Sequence, residues 1–121
     1  MSHTILVVDD EADVRAFLTA VLEKYGYRVV TAPDGRKALG IAEEELPDLI
    51  VLDLQMPEQT GTDFYRRLVK HEALRDTPII VVSGVAGRHL AVSRPFAVFD
   101  KPIVPEEFVA TIERALGESD E

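Results

Sequence analysis

A chain of 121 residues suits one compact domain, and its 46% apolar content is enough for a core of its own. Thirteen Lys and Arg against 22 Asp and Glu leave a net charge of −9, which speaks against direct nucleic-acid binding, since phosphate contacts need clustered cations. No cysteine is present, so disulfides, thiol catalysis and zinc–thiolate sites are excluded. No apolar run reaches the length of a membrane span, and Met1-Ser2-His3-Thr4 has no basic-then-apolar signal pattern, so the cytoplasm is the expected location.

The first apolar run, Ile5-Leu6-Val7-Val8, ends at Asp9-Asp10. Val14, Phe17, Leu18, Val21, Leu22 and Tyr25 then recur at helical spacing, and Gly26 stops that helix. Tyr27 to Thr31 reads as a strand. Pro33-Asp34-Gly35 opens a second helix with Ala38, Leu39, Ala42 and Leu46 expected inward, and Pro47 punctuates it. Leu49-Ile50-Val51-Leu52 is a third strand ending at Asp53. A helix from Thr60 to about His71 follows, with Phe64, Leu68 and Val69 on its inner face.

Ile79-Ile80-Val81-Val82 is the fourth strand, ending at Ser83, and Phe96 to Phe99 is the fifth, ending near Lys101-Pro102. Between them Gly84, Gly87 and Pro95 leave room for only a short or irregular helix. Pro105 starts a last helix carrying Phe108, Val109, Ile112 and Leu116, Gly117 ends it, and Glu118 to Glu121 should fray.

Strands one, three and four are apolar without alternation, as in strands covered on both faces. The fold class is therefore α/β: a doubly wound, five-stranded parallel sheet between helix layers, for which the flavodoxin-like order 2-1-3-4-5 is the expected one. We expect residues 1–121 to form a single domain with its core at about 4–117.

Ligands of such sheets bind outside the carboxyl ends of the strands, where strand order reverses. Asp9, Asp10, Asp53, Ser83 and Lys101 all fall at strand ends. Each has an ordinary reading: Asp10 as a helix cap, Asp53 as a loop cap, Ser83 as a turn residue, Lys101 as a surface lysine. Together they make a constellation. Three adjacent carboxylates need a cation or a proton, and a hard oxygen site with few protein ligands suits Mg²⁺, with Mn²⁺ as a substitute. A lysine and a hydroxyl add donors for phosphoryl oxygens, and a screened carboxylate can act as nucleophile.

The chain resembles the receiver domains of two-component response regulators, chemotaxis-regulator-like, from about Thr4 to Gly117. The resemblance rests on Val7-Val8-Asp9-Asp10-Glu11, on Leu52-Asp53-Leu54-Gln55-Met56-Pro57 with Gly61, on Val82-Ser83-Gly84 and on Lys101-Pro102. It implies that Asp53 accepts a phosphoryl group from a sensor histidine kinase or phosphotransfer protein. Asp10 would bind Mg²⁺ directly and Asp9 through water, with Asp53 and the Gln55 backbone carbonyl completing the protein ligands. Lys101 would pair with the phosphoryl group, Ser83 would hydrogen-bond it, and the Lys101-Pro102 bond would be cis.

Such a chain is a phosphorylation-controlled switch, whose only catalysis is on itself, acting on an output partner not named by the sequence. It would be a monomer or weak dimer without membrane or direct nucleic-acid contact. The alternative is a receiver-like interaction module no longer controlled by phosphorylation.

Three departures from the family pattern stand out. Val98 occupies the place three before the lysine where an aromatic is usual, with Phe96 and Phe99 out of register. Ser83 and Lys101 are closer in sequence than usual by about one helical turn. Val85 and Gln55 occupy the two places that tune loss of the phosphoryl group. With Val98 too small for the usual lever, the segment from Gly84 to Arg94 is the expected moving part. A dehalogenase-type phosphatase would want an Asp where Gln55 stands. A flavodoxin would want a hydroxyl- and glycine-rich loop where Asp9-Asp10-Glu11 stands. His3, His71 and His89 lack metal-ligand spacing, and Glu43-Glu44-Glu45 reads as a solvated helix face.

Overall fold

The computed structural model describes residues 3–53, 60–83, 96–100 and 103–117, with the backbone alone at residues 60–62, Ser83, Val98 and Asp100. The described elements run β1 (Thr4–Val8), α1 (Ala12–Lys24), β2 (Arg28–Ala32), α2 (Gly35–Glu45), β3 (Leu49–Asp53), α3 (Thr60–Leu68), β4 (Ile79–Ser83), β5 (Ala97–Asp100) and α4 (Pro105–Ala115). The five strands form one sheet in the order β2-β1-β3-β4-β5, every neighbouring pair parallel, as the apolar runs require.

Alternate side chains of a strand point to opposite faces, and here both faces are covered. Leu6, Val8, Ile50, Leu52, Ile79 and Val81 pack with Ala38 and Ala42 of α2 and with Phe64 and Leu68 of α3. Ile5, Val7, Leu49, Val51, Ile80 and Val82 pack with Leu18 and Leu22 of α1 and with Phe108 and Ile112 of α4. This division explains why β1, β3 and β4 show no polar alternation. Phe108 is fully buried, and its ring meets Phe99 of β5 edge-on, centroids 5.5 Å apart. Burying a side chain of that size contributes about 2–3 kcal/mol.

The helix faces are narrower than the periodicity predicts. Phe17, Tyr25, Leu46 and Val69 are exposed, although each falls at a helical spacing consistent with the core. Val69 lies beyond α3, which ends at Leu68 rather than near His71, because the chain turns there through His71 and Leu74. At the start of β5, Phe96 is also exposed; its N–H bonds the Ile79 carbonyl at 2.7 Å, but the strand begins at Ala97. Strand β2 starts one residue later than predicted, after Gly26 turns the chain at φ +94°.

Helix α2 is framed by two different devices. Asp34 caps its start, accepting from the Lys37 N–H at 2.8 Å. Its end is closed by Leu46, whose N–H reaches the Ala42 carbonyl at 2.9 Å while the residue sits at φ 47°, ψ 62°. A left-handed conformation suits glycine; leucine takes it here because Pro47 follows and bars the helical region to its predecessor. Of the glutamate run, Glu44 is exposed, whereas Glu45 is half-buried and pairs with Arg28 at 2.8 Å, so the run is not simply a solvated face. The expected short helix between β4 and β5, the Gly84–Arg94 moving part, the cis Lys101-Pro102 bond and the frayed end lie outside the described residues, as does the Val98 side chain.

Leu46 is exposed, so it has little packing to lose. Replacing it with glycine removes the positive-φ strain, at about 1–2 kcal/mol, and gives back part of that through a freer unfolded chain. Leu46→Gly should therefore raise the free energy of unfolding by about 0.5–1 kcal/mol, read from urea denaturation; a drop would count against strain at this cap.

Candidate functional site

Parallel strands send all their carboxyl ends to one edge, and the register decides which residues meet there. Val8 of β1 pairs with Leu52 of β3. The next residues, Asp9 just past the end of β1 and Asp53 at the end of β3, therefore stand side by side. Both are buried, at 2% and 1% exposure, whereas Asp10 is exposed. Carboxylate oxygens of Asp9, Asp10 and Asp53 all lie within 4.8 Å of one another. Among the described residues this is the group whose spacing could hold a metal ion.

The turn that presents Asp9 and Asp10 is held at several points. The Asp9 N–H donates to the Ala32 carbonyl at 3.2 Å, tying the end of β1 to the end of β2. The Asp9 Oδ1 accepts from the Glu11 N–H at 2.9 Å, a local side-chain turn that bends the chain off the strand. Helix α1 then opens with Glu11, not Asp10, as its N-cap, and without a side-chain cap bond. The ordinary reading of Asp10 as a helix cap is thereby removed: its side chain stands beside the other two carboxylates instead.

The sequence did not single out Arg15. This residue lies in the second turn of α1, half-buried, and its guanidinium donates to the backbone carbonyl of Asp9 at 2.7 Å. Its only outward signal is its place as the first cation after the Asp9-Asp10 pair, one turn into the helix that the pair precedes.

Of the other expected site residues, Ser83 ends β4 with its backbone one register step beyond Val82, the partner of Asp53 in β3. It also pairs with Asp100, the last residue of β5, which precedes Lys101 in the chain. The Ser83 side chain, Gln55 and Lys101 lie outside the described residues. The donor set described is all oxygen and all anionic, which suits a hard divalent cation and gives no place to a soft one. No described helix is long and apolar enough to cross a membrane.

Residues 5–113 match the family model of the response regulator receiver domain. Protein Rrf1 of Nitratidesulfovibrio vulgaris (strain Hildenborough) is 32% identical over 117 residues, covering 97% of this chain and 85% of Rrf1. The phosphate regulon transcriptional regulatory protein PhoB of Pseudomonas aeruginosa is 33% identical over 120 residues, covering 96% of this chain and 52% of PhoB. The chain thus spans about half the length of several curated relatives that it matches. Among solved structures, the receiver domain of the sensor histidine kinase PA1611 from Pseudomonas aeruginosa, which has a magnesium ion coordinated in its active-site cleft, superposes with a TM-score of 0.88 at 26% identity. That likeness covers 97% of this chain and 99% of the PA1611 domain. A family match that starts in β1 and runs into α4 takes in every strand of the sheet, and the chain therefore belongs to the response regulator receiver domains of two-component systems.

Proposed function

We propose that this chain is a phosphorylation-controlled signalling switch in which Asp53 accepts a phosphoryl group from a sensor histidine kinase or a phosphotransfer protein. The observation that carries this reading is the placement of the buried Asp53 carboxylate within 4.8 Å of those of Asp9 and Asp10. In the step itself an Asp53 oxygen forms a bond to phosphorus while the phosphorus–nitrogen bond of the donor histidine breaks, and the imidazole keeps the electron pair. The chain's catalysis is confined to this transfer and to hydrolysis of the aspartyl phosphate, in which a water oxygen bonds phosphorus, the bond from phosphorus to the Asp53 oxygen breaks, and inorganic phosphate leaves.

Asp9, Asp10, Asp53 and the backbone carbonyl of Gln55 are the residues assigned to hold Mg²⁺, with Mn²⁺ as a substitute. The ion would supply charge neutralisation for the clustered carboxylates and for the incoming phosphoryl oxygens. Support comes from the all-oxygen donor set and from the magnesium-bearing receiver domain of PA1611. Lys101 is assigned to pair with the phosphoryl group and Ser83 to hydrogen-bond it. The new charge would then favour one arrangement of the surface between β4 and β5, which an output partner reads. Residues 1–121 would act as one receiver unit, with a core at about 4–117, in the cytoplasm, as a monomer or weak dimer without direct nucleic-acid contact.

Treatment with a small phosphodonor and Mg²⁺ should add one phosphoryl mass to the wild type and none to Asp53→Asn. Equal labelling of both, read by intact mass, would overturn the acceptor. Labelling should also fail in excess chelator.

The clustered charges make a second expectation. Unit charges this close repel by about 3–4 kcal/mol at an effective dielectric of about 20, and the exposure of Asp10 reduces that. Asp53→Asn should therefore raise metal-free unfolding stability by about 1–2 kcal/mol, and Mg²⁺ should stabilise the wild type more than the variant. Urea denaturation with and without Mg²⁺ reads both; a metal-free loss of stability would argue against crowding.

Metal binding separates the site from general acidity. Asp10→Ala should weaken Mg²⁺ binding at least tenfold, whereas Glu44→Ala, on the exposed face of α2, should leave it within about twofold. Calorimetric titration gives both constants, and equal effects would mean that the chain attracts cations only through its net charge of −9.

A further inference from the structure

The Asp9 carbonyl lies in the same plane as the amide nitrogen of Asp10, because the peptide unit between them is rigid. Whatever fixes that carbonyl also fixes the direction in which the chain enters Asp10. Asp10 is the exposed member of the cluster, so packing does little to hold it. Asp9 by contrast is buried, and its amide and its carboxylate are already tied to the Ala32 carbonyl and the Glu11 N–H. The remaining main-chain group of Asp9, its carbonyl, is bound by Arg15 Nη1 at 2.7 Å.

A guanidinium in a chain of net charge −9 has carboxylates in plenty to choose from. Among the described residues Arg15 instead bonds a neutral carbonyl at the mouth of the acidic cluster. Half-buried, and anchored on α1, it links the helix to the turn six residues before it. We infer that Arg15 is a positioning residue for the metal site: it clamps the β1–α1 turn so that the Asp10 carboxylate stays beside those of Asp9 and Asp53.

This role rests on the metal-binding reading above, and its sign separates it from a plain charge effect. A cation bound to the backbone of Asp9 repels Mg²⁺ approaching the cluster, so removing it by charge alone would tighten metal binding. Removing the clamp lets the turn move and loosens binding, as losing a group that orients a ligand does.

The experiment titrates Mg²⁺ into the full chain by calorimetry for the wild type, Arg15→Met and Arg15→Lys, with far-ultraviolet circular dichroism reporting the folded fraction. Arg15→Met keeps an unbranched apolar stem and removes both charge and donors; it should bind Mg²⁺ roughly tenfold more weakly than the wild type. Arg15→Lys keeps a charged donor and should stay within about threefold of the wild type. Should Arg15→Met fail to fold, Arg15→Gln, which removes the charge and shortens the reach, should show the same weakening. Unchanged or tighter binding in the neutral variants overturns the assignment while leaving the metal site standing. A wild type that binds no Mg²⁺ overturns the metal reading and the positioning role with it.

Discussion

In the pairing of β1 with β3 the register sets Val8 beside Leu52, so the residues that follow, Asp9 and Asp53, come to the same level of the sheet edge. A slip of a single residue would turn the apolar set of each strand to the opposite face. It would break the packing of Leu6 and Val8 against one pair of helices and of Ile5 and Val7 against the other. The burial that stabilises the sheet is therefore the same constraint that aligns the carboxylates. The site is a by-product of a register enforced along the whole length of the strands.

Crowding three carboxylates at that edge opposes folding, and two of the three are almost wholly removed from water. The apolar strands beneath hold them there regardless. Held within 4.8 Å of one another, the three carboxylates form a group that could hold a metal ion. Asp10 is the exception: exposed and carried by a turn, it depends on the hydrogen bonds around Asp9 rather than on the core. The site thus combines two carboxylates positioned by the sheet with one positioned by a loop.

The opposite end of the sheet is arranged differently. There the Thr4 N–H donates to Asp48, and Arg28 pairs with Glu45, whereas the three carboxylates gather where β1 and β3 end. Relatives carry the same unit as most of a chain, as in Rrf1, or as about half of one, as in PhoB. A site built at one sheet edge, from strands whose register is internal to the unit, suits both arrangements.

The sequence by itself determined the strands, their parallel direction and the identity of the acidic residues at their ends. A strand covered on both faces must be apolar throughout, and Ile5-Leu6-Val7-Val8, Leu49-Ile50-Val51-Leu52 and Ile79-Ile80-Val81-Val82 are legible for that reason. Helical periodicity is a weaker guide. It names a face but not its width, which is why Phe17, Tyr25, Leu46 and Val69 stand in solvent despite their spacing. Only the tertiary structure decided that Asp10 joins the carboxylate cluster instead of capping α1, and that Arg15 reaches back to the Asp9 carbonyl. Both depend on distances between groups carried by different elements. Those distances follow from how β1 pairs with β3 and how α1 lies on the sheet, which no local pattern of residues specifies.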